Sequence, residues 1–323
     1  MKTSDFEYHL PDELIAARPP ERRGQSRMML VDRNKGSIGH LQFADLADCL
    51  ADGDLLVLND TRVVPARYFS DDGKIELLRL EKRSPLLWVC MVKPGKRMKL
   101  GRTIEIGGVR GTVEEILDSG DRVIRFDREV DEENHGHLAL PHYMGRGDDR
   151  ADRERYQTVY SRYEGAIAAP TAGLHFTPEI LARFAHAFVT LHVGVGTFQP
   201  VRVDEVEEHV MHSENFVLGE KVVEQIAQAQ RVVAVGTTVA RVLEHCGRDG
   251  GLHPQQGETD IFIYPPYQFN VVDVMLTNFH LPGSTLLMMV SAFAGKELVE
   301  EAYAKAIEER YRFYSYGDCM LIL

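Results

Sequence analysis

The feature that most constrains this chain is a change of hydrophobic period part-way along it. Between residues 62 and 127, six short apolar runs (VVPARYF, KIELLRL, LLWVCMV, RTIEIGG, GTVEEIL and RVIRF) follow one another, divided only by Gly, Pro, Asp and Ser turns. Several short strands with no long helix point to a small barrel. On either side the pattern is different. Strands at Arg27–Asp32 and Asp54–Asn59 flank a short amphipathic helix near 43–50. After Tyr156 the pattern runs helix near 177–186, strand FVTLHV, helix 220–230, strand RVVAVG, helix 238–246, strands DIFIY and VVDVMLT, and helices near 284–294 and 297–311. Such alternation favours a parallel or mixed sheet covered by helices. The expected fold class is α/β: a discontinuous α/β domain with a mixed sheet, residues 1–61 and 151–323, interrupted by an inserted small β-barrel domain, 62–150, whose polar return connection begins near Asp131.

Composition narrows the function classes. A chain of 323 residues with 44% hydrophobic content supports a sizeable core. The longest nearly uninterrupted apolar stretch, 286–294, falls far short of the roughly 18 to 20 residues that cross a bilayer, and MKTSDFEYHLPDE lacks the apolar segment of a signal peptide. A cytoplasmic location without a membrane partner is expected. Cys49, Cys90, Cys246 and Cys319 are scattered, which suggests neither a disulfide framework nor a cysteine zinc site. A net charge of -12 opposes general attraction to nucleic acid, so any RNA contact must use a local basic patch. With no sustained heptad, a monomer is expected.

Several glycine-containing polar motifs carry candidate chemistry. In TAGLHFTP, Thr177 and Pro178 read as a helix start, which sets His175 just before exposed amides, and Gly173 allows close backbone approach; a structural histidine in a helix-start turn is the alternative. LHVGVGTF places His192, Gly194 and Gly196 at a strand end, where α/β folds commonly bind ligands, but it lacks the full GxGxxG spacing. VVAVGTT runs from strand to helix through Gly236, Thr237 and Thr238, a place for a small polar ligand, unless Thr238 is an ordinary N-cap. Thr259 and Asp260 in GETD, and Asn278 and His280 in TNFHLP, add a carboxylate, an amide and an imidazole at strand ends, groups that orient a sugar and move protons.

Two segments suit RNA. RYRFYSYGD interleaves Arg310 and Arg312 with aromatics including Tyr316, matching phosphate contact and base stacking, with an amphipathic helix end as the alternative. VKPGKRMKLGR holds Lys93, Lys96 and Arg97 without an acidic residue. The pair His209 and His212, spaced i,i+3 between Glu208 and Glu214, is not an HExxH zinc helix, and no metal site is expected.

Taken together, LLVLNDTRVVPAR (55–67), DRERYQTVY (152–160), AAPTAGLHFTPE (168–179), FVTLHVGVGTFQPV (188–201), EEHVMHSE (207–214), GETDIFIYPPY (257–267), MLTNFHLPGSTLLMMVSAFAG (275–295) and RYRFYSYGDCML (310–321) resemble the S-adenosylmethionine:tRNA ribosyltransferase-isomerases of queuosine biosynthesis. The resemblance covers essentially the whole chain. Departures lie in loops: a short connection before FVTLHV, a compact hairpin near Asp71, and Ala139 and His142 where the family usually carries prolines. The resemblance implies a β-barrel inserted in an α/β domain, and an enzyme that transfers and isomerises the ribosyl group of S-adenosylmethionine onto the aminomethyl group of a 7-deazaguanine in tRNA, releasing adenine and methionine. It implies S-adenosylmethionine as co-substrate, no tightly bound cofactor, and the tRNA anticodon arm as partner.

That chemistry needs proton transfer and no redox centre. His175, Asp260 and His280 are the expected acid/base residues, Asn278 and Thr259 the expected holders of ribose hydroxyls, and Gly173, His192, Gly194, Gly236, Thr237 and Thr238 the rest of the co-substrate site. Asp60 and Arg62 are expected to order the cleft for tRNA, together with Lys93, Lys96, Arg97, Arg310, Arg312 and Tyr316. A metal-dependent hydrolase using His209 and His212 would lose activity on chelation, and a non-catalytic RNA-binding module would be indifferent to substitution of His175 or Asp260.

Overall fold

The computed structural model describes residues 1–198, 201–248 and 250–323. Its contacts divide the chain into two compact units, one of Met1–Arg62, His142–Arg146 and Glu154–Leu323, the other of Val63–Pro141 and Gly147–Arg153.

The larger unit is built on a nine-stranded mixed sheet in the spatial order Gln255–Thr259, Glu214–Leu218, His186–Leu191, Asp54–Asn59, Arg231–Val235, Val274–Asn278, Cys319–Ile322, Arg27–Asp32, Ser37–Gln42. The four strands from His186–Leu191 to Val274–Asn278 are mutually parallel. Their sequences are near-continuous apolar runs because both faces are covered. Leu56, Leu58, Val233, Val235, Val274 and Leu276 meet Phe43, Phe176 and Leu181 on one face, and the alternating Leu55, Val57, Val232, Ala234 and Met275 are buried on the other. The final strand, Cys319–Ile322, runs antiparallel to Val274–Asn278 and parallel to Arg27–Asp32, which ties the end of the chain to its beginning.

Some elements differ from the sequence expectation. DIFIY is irregular; the strand there is the preceding Gln255–Thr259, paired with Glu214–Leu218. An edge strand is held by backbone pairing and keeps polar side chains in solvent, so QQGET carries no apolar signal. The helix expected over 177–186 is a single turn, Pro178–Leu181, after which His186 already begins a strand; Thr177 caps it by accepting from the Ile180 amide at 3.2 Å. Helix Lys296–Glu308 stops before the aromatic residues that follow, and Tyr311 and Phe313 pack into the core. No helix among the described residues is long and apolar enough to cross a membrane.

In the smaller unit all six apolar runs form strands of one antiparallel sheet, ordered Arg67–Phe69, Glu76–Ser84, Leu87–Lys93, Arg122–Phe126, Val109–Ile116, Thr103–Ile106. The sheet curls until its two ends nearly meet. Asp71, just past the first strand, donates its amide to the Glu105 carbonyl at 2.8 Å and accepts the amides of Gly107 and Gly108 at 2.7 and 2.9 Å. Tyr68, Trp88 and Phe126 fill the interior, with the Trp88 ring 4.9 Å from Tyr68 and 4.7 Å from Phe126. Arg79 lays its guanidinium 4.8 Å from the Trp88 ring and pairs with Glu132 at 2.6 Å, so its charge is used inside the barrel rather than left uncompensated.

Gly111 admits the Phe126 ring and the Ile124 side chain: a Cβ there would stand 2.7 Å from Phe126 Cε1 and 2.8 Å from Ile124 Cγ2. Gly111→Val is therefore expected to destabilise the protein by about 1–3 kcal/mol through overpacking. Trp88, the single tryptophan, reports the barrel directly in urea unfolding, and an unchanged midpoint would refute this account of the packing.

Candidate active site

The parallel strands end on one edge of the sheet. Their ends set 59–61, 192–194, 236–238 and 278–280 side by side. The register adds Thr259 opposite Glu214 and Cys319 opposite Asn278 at the same edge. A cleft opens there, walled by the loop 168–172, by Gly236, Thr237, Thr238 and Arg241, by 277–281, and by Tyr314 and Ser315. An α/β sheet typically binds ligands in such a crevice, outside the carboxyl ends of its strands.

Asn278 organises one wall. Its Nδ2 donates to the carbonyls of Tyr314 and Ser315 at 2.9 and 3.4 Å, which fixes Oδ1 as the acceptor for His175 Nε2 at 3.2 Å. His175 Nε2 therefore carries the proton, and Nδ1 accepts from Ser26 Oγ at 2.8 Å. Burial pushes the His175 pKa down to about 4, so the ring is neutral at physiological pH, with both nitrogens engaged inside the protein. Tyr314 holds a φ of 71°, a region few side chains adopt, while its carbonyl is held by Asn278 and its amide donates to Phe279 O at 3.2 Å.

His280 lines the cleft itself. Its Nε2 lies 2.8 Å from Thr277 Oγ1, its amide donates to the Tyr303 hydroxyl at 2.9 Å, and its carbonyl accepts from the Tyr8 hydroxyl. Burial pushes its pKa down to about 3, leaving a neutral imidazole in the proton-accepting form.

The opposite wall holds a pair that the sequence reading missed. Glu214 accepts the Gly194 amide at 2.8 Å and forms an ion pair with Arg241, whose Nη2 also donates to the Thr259 carbonyl at 3.4 Å. Arg241 is only 5% exposed and faces the cleft, one helical turn beyond Thr237. Its signal was that spacing of four, which sets Arg241 on the same helix face as Thr237; a lone arginine in a helix otherwise reads as a solvated residue. Thr238 is not the N-cap. The N-cap is Gly236, with φ 95°, the helix begins at Thr237, and Thr238 Oγ1 instead accepts from Asn59 Nδ2 at 3.5 Å.

A family model described as a queuosine biosynthesis protein matches residues 3–322. The chain belongs to that family. It is 49% identical to a protein of Acetivibrio thermocellus and 48% identical to one of Pelobacter propionicus, both named S-adenosylmethionine:tRNA ribosyltransferase-isomerase, with all of each chain covered. A crystal structure of S-adenosylmethionine tRNA ribosyltransferase from Thermotoga maritima is 37% identical, with a TM-score of 0.58 over 99% of this chain and 100% of that one.

In this member of the queuosine biosynthesis family the expected site residues are only partly gathered. Gly236, Thr237, Thr238, Asn278 and His280 line the cleft, with His175 and Thr259 buried behind it. Asp260 is exposed beside Thr259. Gly173 is required by packing, since a Cβ there would lie 2.1 Å from the Tyr160 hydroxyl. His192, 2.8 Å from Thr61 Oγ1, and Asp60, which accepts from Thr190 Oγ1 at 2.7 Å and whose pKa burial raises, line a second cavity of about 710 Å³. Arg62 is exposed, 3.8 Å from Glu164. Arg310 is exposed, 3.8 Å from Glu13; Arg312 donates to the Arg18 carbonyl; Tyr316 is buried, its ring edge-on to Tyr156 at 5.8 Å. Arg310 is thus the fully exposed member of the RYRFYSYGD trio named for RNA. Lys93, Lys96 and Arg97 are exposed on the six-stranded unit. Among the described residues no three His, Cys, Asp or Glu side chains gather to hold a metal, and Gln199 and Pro200 of the FVTLHVGVGTFQPV motif lie outside the described residues.

The two buried histidines set a pH dependence of stability. Each has a folded pKa below its ordinary 6.5, so the unfolded chain binds more protons between about 4 and 6.5, and stability falls as pH is lowered through that window. Thermal melts from pH 7 to pH 4 should show this loss, and His175→Gln should flatten it. A variant with the wild-type slope would rule out His175 as a contributor.

Proposed function

We propose that this chain transfers and isomerises the ribosyl moiety of S-adenosylmethionine onto the 7-aminomethyl group of 7-aminomethyl-7-deazaguanine in tRNA, giving epoxyqueuosine-tRNA, adenine and methionine. S-adenosylmethionine acts as co-substrate, without a tightly bound cofactor. The observation that carries this reading is the convergence of the GTT, TNFH and TAGLH motifs around one cleft, in a chain 49% identical over its full length to a protein named for that reaction.

The sulfonium acidifies the adjacent C5′ hydrogens of the ribose. A base removes one of them, and the C4′–O4′ bond opens to a vinyl sulfonium while adenine leaves C1′ as an aldehyde forms there. The aminomethyl nitrogen adds to C4′ and loses its proton. The ylide carbon C5′ so regenerated closes on C1′, whose oxygen then displaces methionine from C5′ to form the epoxide. His280 takes the base role because it is a neutral imidazole in the cleft wall. A group of such low basicity works best when proton removal is concerted with departure of adenine. His175 is a positioning residue that holds Asn278, and Asn278 and Thr277 face the ribose. Asp260, exposed, carries no step. Lys93, Lys96, Arg97 and Arg310 are the exposed cations offered to the phosphates of the anticodon arm, local patches in an acidic protein acting in the cytoplasm as a monomer.

The test is incubation of the purified protein with S-adenosylmethionine and tRNA carrying the aminomethyl deazaguanine. Release of both adenine and methionine is expected, and failure to release either overturns the reading. His280→Asn should lower kcat by about 10²–10⁴-fold with tRNA affinity unchanged; a variant with wild-type kcat would remove His280 from the chemistry.

A further inference from the structure

We propose that the head of helix Thr237–Gly247 and the side chain of Arg241 form an anion subsite in the cleft, and that its ligand is the carboxylate of the amino-acid tail of the substrate; the identity of that tail rests on the reading given above.

Two independent observations meet at this point. The helix is 11 residues long and begins after Gly236 with no side-chain cap, so its first amides, at Thr237 and Thr238 in the cleft wall, present donors and the positive end of the helix dipole to the cavity. Arg241 is buried with its Nη atoms committed to Glu214 and the Thr259 carbonyl, while its Nε has no partner in the protein. Arg241 lies one turn beyond Thr237 on the same helix face, and both line the cleft. An unsatisfied buried N–H is costly, and an oxygen ligand at the helix head would satisfy it.

The charge balance selects the class of anion. Glu214 cancels the formal charge of Arg241, so the subsite offers hydrogen-bond donors and a helix dipole with little net charge. That suits a singly charged carboxylate better than a dianionic phosphate. At the proposed substrate, the carboxylate is the group that meets this description.

The experiment compares calorimetric binding of S-adenosylmethionine, its decarboxylated analogue and 5′-methylthioadenosine. Wild type is expected to bind S-adenosylmethionine about 10- to 100-fold more tightly than the decarboxylated analogue, as a charge-assisted hydrogen bond implies. The paired variant Arg241→Met with Glu214→Gln, which leaves no buried charge unmatched, should lose that preference and bind the carboxylated and decarboxylated compounds equally. Arg241→Lys, which keeps the charge but lacks an Nε–H, should reduce the preference and serves as the readout if the paired variant does not fold. Equal wild-type affinity for the carboxylated and decarboxylated compounds, or a preference that survives both variants, overturns the subsite alone. Failure of wild type to bind any of the three overturns the substrate reading together with the subsite that rests on it.

Discussion

The side-chain amide of Asn278 is the contact on which the geometry of the cleft depends. It sits at the end of the last parallel strand, where the sheet reverses into Cys319–Ile322, and it holds two segments far apart in sequence. One end grips the Tyr314 and Ser315 carbonyls and the other orients His175. Because an amide has a distinct donor and acceptor end, this single residue fixes both the tautomer of the histidine and the path of the C-terminal loop. Asp318 closes the same loop from below by accepting the amides of Arg27 and Arg312 at 2.9 and 2.8 Å. Gly317 completes the fit, since a Cβ there would lie 2.4 Å from the Arg312 carbonyl oxygen, a backbone atom with no room to give. The strained Tyr314 backbone persists because these contacts over-determine it.

The Arg241–Glu214 pair is better explained by the site than by stability. Both partners are about 5% exposed. Withdrawing two charges from water costs several kcal/mol per ion, and replacing such a pair by packed apolar groups is often neutral or stabilising by about 1–4 kcal/mol. A pair kept for stability alone would be poorly motivated at this place. As a device for position it makes sense: Glu214 ties the Gly194 amide to Arg241, and Arg241 ties the Thr259 carbonyl to the helix that starts at the cleft. The side chains of Glu214 and Arg241, with the Gly194 amide and the Thr259 carbonyl, thus fix the spacing between the sheet edge and the helix head.

Elements whose sidedness shows in the side chains were legible from the sequence. The six barrel strands, the strands Arg27–Asp32 and Asp54–Asn59, and the helix start at Thr177 and Pro178 all announce themselves through period, turn residues or capping, although the length of that helix does not. Elements made by backbone pairing alone were not: Gln255–Thr259 is polar and exposed along most of its length, and Ser37–Gln42 is a solvent-side edge strand. Among the residues that line the cleft, those at a strand end are legible as candidates, because a strand end next to a glycine is visible in one dimension. Those placed by three-dimensional packing are not. Gly173 suggests a ligand approach in one dimension, whereas Tyr160, thirteen positions earlier, is what demands it, and the aromatics of RYRFYSYGD suggest a stacking surface, whereas Tyr311, Phe313 and Tyr316 turn inward. Arg241 was invisible for the same reason, since its partners Glu214 and Thr259 lie on other strands.

The electrostatic character of the cleft bears on how the proposed reaction would be favoured. Among the described residues that line it there is no Asp, Glu or Lys, and its one charged side chain, Arg241, is already neutralised by Glu214. Its titratable lining imidazole, His280, is neutral, and the aromatic residues Tyr143 and Tyr314 form part of its lining. A sulfonium bound here exchanges its hydration for ring faces and dipoles, which hold a cation less strongly than a carboxylate would. In the proposed reaction that positive charge is consumed when methionine leaves as a neutral thioether. An environment without a fixed counter-ion at the sulfur therefore stabilises the charged ground state less than an acidic pocket would, and interactions that do not strengthen the ground state leave more of the binding energy to the steps that discharge it. The absence of a lining carboxylate is in this sense as much a property of the site as the residues that form it.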